Sequence, residues 1–195
     1  MKRKFVITSI LLLFSRGCDY YSTALWFHDN PSGETNPLVR WFGFGWGAIW
    51  CVNALVVGLV MYSYFYYLFR YKPNPLIRAP KHLRDYVSLL YFQGKEPWYK
   101  LFYKFPVEKK VLLAHSGYIL IRSIIFASFL ATIHNLCQFY QFEFYNIFRE
   151  SVKRPLYVIY SLILLYILLS TRQLLKNEYR QNLKSLPENY TNLSA

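Results

Sequence analysis

Arg16 and Asp19 stand three residues apart inside an otherwise apolar stretch, FVITSILLLFSRGCDYYSTALWF, residues 5–27. In a helix that spacing puts both on one face, close enough to pair. At about 1.5 Å of rise per residue, roughly 20 residues cross a bilayer. Charges at that depth cost several kcal/mol unless they are paired, hydrated or turned toward other helices. Arg122 holds the same relative place in a second apolar stretch, residues 111–134, and Asn53 lies about seven residues into a third, residues 46–69. Thr23 is one turn beyond Asp19 on the same face. One carboxylate between two guanidiniums is either an electrostatic clasp or a site with positive excess. Such excess would receive an anion, a lipid headgroup or a substrate carboxylate, for which arginine is better shaped than lysine. Asp19 and His115 make a poor acid–base pair, because they lie on different helices with depths roughly 15 Å apart. The one local acid–base arrangement is His28-Asp29 near Glu34, in a turn-rich loop where such residues are ordinarily solvated.

The positioning elements follow from composition. The chain has 195 residues, 54% of them hydrophobic and 17% charged, with a net charge of +13. Its apolar residues form long blocks separated by charged ones, which favours several membrane spans over one globular core. Spans are expected at residues 5–27, 46–69, 111–134 and 156–170, the last extending toward Leu174. Lys2, Arg3 and Lys4 followed by an apolar run imitate an export signal, but Arg16 spoils a small-residue cleavage box before Cys18, so an uncleaved first span is expected. Residues 28–39 are rich in turn formers, and Trp41, Phe42, Phe44, Trp46 and Trp50 suit an interfacial belt. Leu83, Tyr86, Val87 and Leu90 recur at helical spacing, which predicts a short amphipathic helix within 82–93. A second is expected in the outer segment, residues 135–155. Gly47 and Gly58 are candidates for close helix approach. Cys18, Cys51 and Cys137 show no paired spacing, so neither a disulfide framework nor a metal site is expected. No cofactor is implied.

Seventeen basic residues flank the chain start, the 70–110 segment and the C-terminal tail, against four on the other two connections. This asymmetry places both termini in the cytoplasm. The expected fold is therefore all-α: a polytopic integral membrane protein of four transmembrane helices, multi-pass in the inner (plasma) membrane. Its domain covers residues 1–175, including the basic segment 70–110, followed by a polar tail, 176–195. Aromatics interleaved with Lys100 and Lys104 fit an anionic lipid surface better than a nucleic acid, since no RNA-binding or phosphate-cradling motif accompanies them.

Asp19-Tyr-Tyr-Ser-Thr23, followed by Glu34-Thr-Asn36-Pro37-Leu38, resembles an uncharacterised family of small prokaryotic multi-helix membrane proteins. Its members carry an Asp-x-x-x-Thr element in the first helix and a Glu-x-Asn-Pro element before the second. The likeness spans roughly residues 15–65. It implies a compact helical membrane domain with Asp19, Thr23, Glu34, Asn36 and Pro37 at its marked positions, and it implies no reaction. From the residues alone, the leading expectation is a small membrane subunit acting through assembly, with itself as a homo-oligomer or with a membrane or cytoplasmic protein. A small transporter or channel-like protein binding an anionic ligand or lipid headgroup comes second. An intramembrane enzyme is third, since no diagnostic nucleophile or phosphate loop is present.

Overall fold

A computed structural model describes residues 1–26, 42–43, 45–73, 76 and 78–185. Every regular element in them is helical: α1 (Lys2–Ala24), α2 (Trp46–Phe69), α3 (Leu83–Phe92), a 3₁₀ segment (Trp98–Phe102), α4 (Lys109–Phe139), α5 (Glu143–Val152) and α6 (Pro155–Ser185). Three helices are long and apolar enough to cross a membrane: Trp46–Phe69, Lys109–Phe139 and Pro155–Lys184. The first helix is not among them, because Arg16 and Asp19 dilute its apolar run. The last helix continues without interruption past Thr171 to Ser185. The three cysteines are free.

The chain forms two compact units, one from Met1–Tyr62 with Leu120–Tyr166, the other from Ser63–Ile119 with Ile167–Ala195. In the first unit α1 is inside out by the standards of a water-soluble helix. Its buried residues are Ser9, Leu12, Ser15 and Ser22, whereas Val6, Ile10, Leu13 and Phe14 are exposed. The serines satisfy themselves locally: Ser15 Oγ donates to the Leu12 carbonyl at 2.9 Å and Ser22 Oγ to that of Asp19 at 2.9 Å. Apart from Leu12, the buried face of α1 is made of serines, while large apolar side chains face out. Tyr20 anchors α1 on α2, with its ring 5.4 Å from Trp46 and 4.2 Å from Trp50.

The second unit has a hydrophobic core of its own. The apolar stripe read from the sequence is the buried face of α3, where Tyr86, Val87, Leu90, Tyr91 and Phe92 pack on Val111 and Leu175. Asp85 opens this helix by accepting the Lys81 backbone N–H at 3.0 Å and both arms of Arg78, at 2.7 and 3.1 Å. A left-handed Gln93–Gly94 pair closes it, with the Gly94 N–H returning to the Ser88 carbonyl at 3.1 Å. Beyond it, Glu96 accepts Lys100 and Lys104 together, and those bonds hold its carboxyl down to about 2.

Candidate functional site

The polar centre of the first unit starts from Arg16 on α1. Its Nη1 donates to Asp19 Oδ2 at 2.5 Å and to Ser128 Oγ of α4 at 3.1 Å, while Nη2 donates to Asn53 Oδ1 of α2 at 2.5 Å. The Asn53 amide is oriented for this, since its Nδ2 is spent on the Ile49 carbonyl one turn earlier, at 2.9 Å. One guanidinium thus ties three helices, with a single carboxylate balancing its charge. Thr23 lies on the same face of α1. Its hydroxyl donates to the Asp19 carbonyl at 2.9 Å and accepts Asn135 Nδ2 of α4 at 3.2 Å, while Trp26 Nε1 reaches the Asn135 carbonyl at 3.2 Å.

Of the residues singled out in the sequence, Arg16, Asp19 and Asn53 are in direct contact and Thr23 adjoins them. The α4 residue that meets Arg16 is Ser128. Arg122 is half-buried six residues back along that helix, about 9 Å of rise away, so equal counting from the span starts overstates how closely the two arginines match in depth. Glu34, Asn36 and Pro37, with His28 and Asp29, lie outside the described residues.

Arg16 and Asp19 are not sealed in. They line a cavity of about 1280 Å³ in the first unit, bounded by α1, α4, α5 and the start of α6. Its charged lining is Arg16, Arg149, Lys153 and Arg154 against Asp19 and Glu150. The Arg16–Asp19 pair is internally neutral, which leaves three cations and one carboxylate at the other end of the cavity. There Arg154 is held in place by Tyr157, which accepts its Nη1 at 3.0 Å and offers its ring at 5.4 Å. His134 bonds the Tyr145 hydroxyl, fastening α5 to α4. Burial pushes the Tyr145 phenol up, so it stays protonated.

Replacing Asp19 with Asn leaves a partly buried guanidinium with neutral partners only. Side-chain exposures of 29% for Arg16 and 17% for Asp19 temper the cost of a broken buried pair. The expected loss is about 2 kcal/mol, read by thermal unfolding of the detergent-solubilised chain. A D19N protein as stable as wild type would remove Asp19 from the centre of the unit.

A second cluster, in the other unit, has no local signature in the sequence. His115 of α4 is 1% exposed; its Nδ1 is 2.5 Å from the Tyr91 hydroxyl of α3, and its Nε2 is 2.9 Å from Glu178 Oε2 of α6. The second approach is at ion-pair distance but off the hydrogen-bond line. Burial, with the charge of Glu178 nearby, pushes the phenols of Tyr86 and Tyr91 well above their ordinary value. The Glu178 carboxylate can only accept, which favours the imidazole proton on Nε2 and leaves Nδ1 to accept the Tyr91 hydroxyl. A carboxylate, an imidazole and a hydroxyl in a row is the order of a nucleophile-activating relay. Here the hydroxyl belongs to a residue 4% exposed, so the row serves to lock α3 onto α4 and α6. His115 thus answers to Glu178, and Asp19 to Arg16.

Among the described residues, no group of three or more His, Cys, Asp and Glu side chains could hold a metal ion. No protein-family model, curated protein or solved structure matches the chain, so its Asp-x-x-x-Thr and Glu-x-Asn-Pro elements carry weight as residues alone.

Proposed function

We propose that the chain is a four-span protein of the plasma (inner) membrane, with both termini cytoplasmic, that binds an anionic ligand in the cavity of its first unit. The observation that carries the reading is the charge of that cavity: three cations against one carboxylate beside an already neutral Arg16–Asp19 pair. A clasp of purely structural purpose needs neither this excess nor the open volume. Support for α1 as the fourth span comes from its buried serines and exposed Val6, Ile10, Leu13 and Phe14. The 70–110 segment is assigned to an anionic leaflet. Tyr103 and Phe105 are 71% and 86% exposed among Lys95, Lys104, Lys109 and Lys110, the pairing of aromatic and basic groups that suits a headgroup layer.

The test is binding to the purified full chain in a nonionic detergent, with inorganic phosphate and dodecyl phosphate as probes and native mass spectrometry as readout. Arg149→Gln, Lys153→Gln and Arg154→Gln together should weaken binding at least about tenfold, roughly 1.4 kcal/mol. Lys109→Gln with Lys110→Gln, in the other unit, should change nothing. Equal binding by both variants, or none by the wild type, sinks the reading. A subunit working through assembly with another copy is the second reading. It is favoured by Tyr157, Tyr160, Leu164 and Leu168, an exposed stripe on one face of α6.

A further inference from the structure

We infer that the ligand of this cavity is a phosphate-bearing lipid, with its headgroup at the α5–α6 junction and an acyl chain laid between α4 and α6. The inference rests on the anion-binding reading above and adds the identity of the apolar half.

The lining of the cavity includes an apolar wall, interrupted on α4 by Ser128 where Arg16 reaches it. Ile124, Ala127 and Ala131 fall on one face of α4, and Leu156, Ile159 and Ile163 on one face of α6, at spacings of three and four. None carries a charge or a hydrogen-bonding side chain. Apart from Arg16, which Asp19 neutralises, the basic residues lie at the other end, Arg149 to Arg154, where α5 ends and α6 begins. From Arg154 to Ile163 the helix rises about 14 Å, and the lining of α4 from Ile124 to Gln138 covers about 21 Å. A free inorganic anion would fill only the basic end and leave that wall facing water. The volume, about 1280 Å³, exceeds what a small ion requires and lies above the usual range for drug-sized ligands, roughly 300–1,000 Å³. An elongated amphiphile uses both ends.

The headgroup chemistry follows from the donors. Arg149, Lys153 and Arg154, all exposed, line the same end, and the Tyr157 contacts orient the Arg154 guanidinium. Forked donors of this kind match the several oxygens of a phosphate. The α6 N-terminus adds its dipole in the same sense. Glu150 is the opposing charge, and it favours a headgroup that also carries hydroxyl or ammonium donors over a bare phosphate ion. Part way along the wall, Thr23 and the Arg16–Asp19 pair provide the polar seat that an ester or glycerol oxygen would use.

The test is a chain-length series on the full-length protein in nonionic detergent: inorganic phosphate, then methyl, hexyl and dodecyl phosphate, read by native mass spectrometry. Affinity should rise at least about tenfold from methyl to dodecyl phosphate, since each buried methylene adds to binding. Ala131→Trp should flatten that rise while leaving methyl phosphate unchanged. Ile159→Ala with Ile163→Ala, which remove bulk instead of adding it, should reduce the dodecyl affinity by a smaller factor. Methyl phosphate or inorganic phosphate binding as tightly as dodecyl phosphate would overturn the lipid assignment and leave the anion site standing. A rise with chain length that persists in both wall variants would overturn it too, by placing the chain in the detergent. Binding by no member of the series would remove the anion site with it.

Discussion

Gly117→Ala is expected to destabilise the second unit by about 3 kcal/mol, and Gly117→Val to prevent it from folding. A Cβ at this α4 position would sit 2.5 Å from the Tyr64 backbone nitrogen and closer still to the Ser63 carbonyl of α2. The obstacle is backbone on both sides, so no side chain can rotate away, and relief requires the two helices to part. A contact of this kind depends on close van der Waals approach of the two backbones. Gly58 on α2 is the control, since an added methyl there meets nothing within 4 Å. Gly58→Ala should raise stability, by up to about 1 kcal/mol from helix propensity alone. Thermal unfolding of the three purified variants against wild type reads both signs. A Gly117→Ala protein as stable as Gly58→Ala would show that α2 and α4 do not meet at Ser63.

That contrast also marks what the sequence can disclose. Gly47 and Gly58 attract notice because they sit in an apolar span, yet open space surrounds both, and the close approach is at Gly117. A glycine's role depends on what faces it across the bundle, and that residue lies elsewhere in the chain. Arg16 with Asp19 is legible because the pair is local and charged groups are conspicuous among leucines. Asn53 can be brought to Arg16 by counting helical rise. Ser128 cannot, because an isolated serine in an apolar helix looks like filler until a guanidinium is placed beside it. The α3 stripe is legible from periodicity alone, with Leu83, Tyr86, Val87 and Leu90 on one side of a short helix. The first helix is the harder case. Its hydropathy falls below that of the other three, and what sets it apart is visible only in three dimensions, where Ser9, Ser15 and Ser22 are buried while Leu11, Leu13 and Phe14 are exposed.

Glu178→Ala is expected to cost about 3 kcal/mol and to loosen α3 before the rest of the second unit. Glu178 is 11% exposed at its side chain and His115 2%, so removing the carboxylate leaves the imidazole Nε2–H without its charged neighbour in a site water barely reaches. Tyr86 loses a partner as well, because its hydroxyl donates to the same Oε2 at 3.4 Å. His115→Ala breaks the row from the other side and strands the Tyr91 hydroxyl along with the carboxylate. If the three groups act as a unit, Glu178→Ala and His115→Ala will not add: the double variant should be less destabilised than the sum by at least about 1 kcal/mol. Tyr91→Phe, which removes one donor and keeps the ring in the α3 core, should cost about 1–2 kcal/mol. Hydrogen exchange separates this lock from a general loss of packing. Amides of α3 should exchange faster in all three single variants, while those of α1, in the first unit, keep their wild-type protection. Additive single variants, or a Glu178→Ala protein whose α3 amides exchange at wild-type rates, would mean that α3 is held by its apolar face alone and that the buried carboxylate is there for some purpose other than holding it.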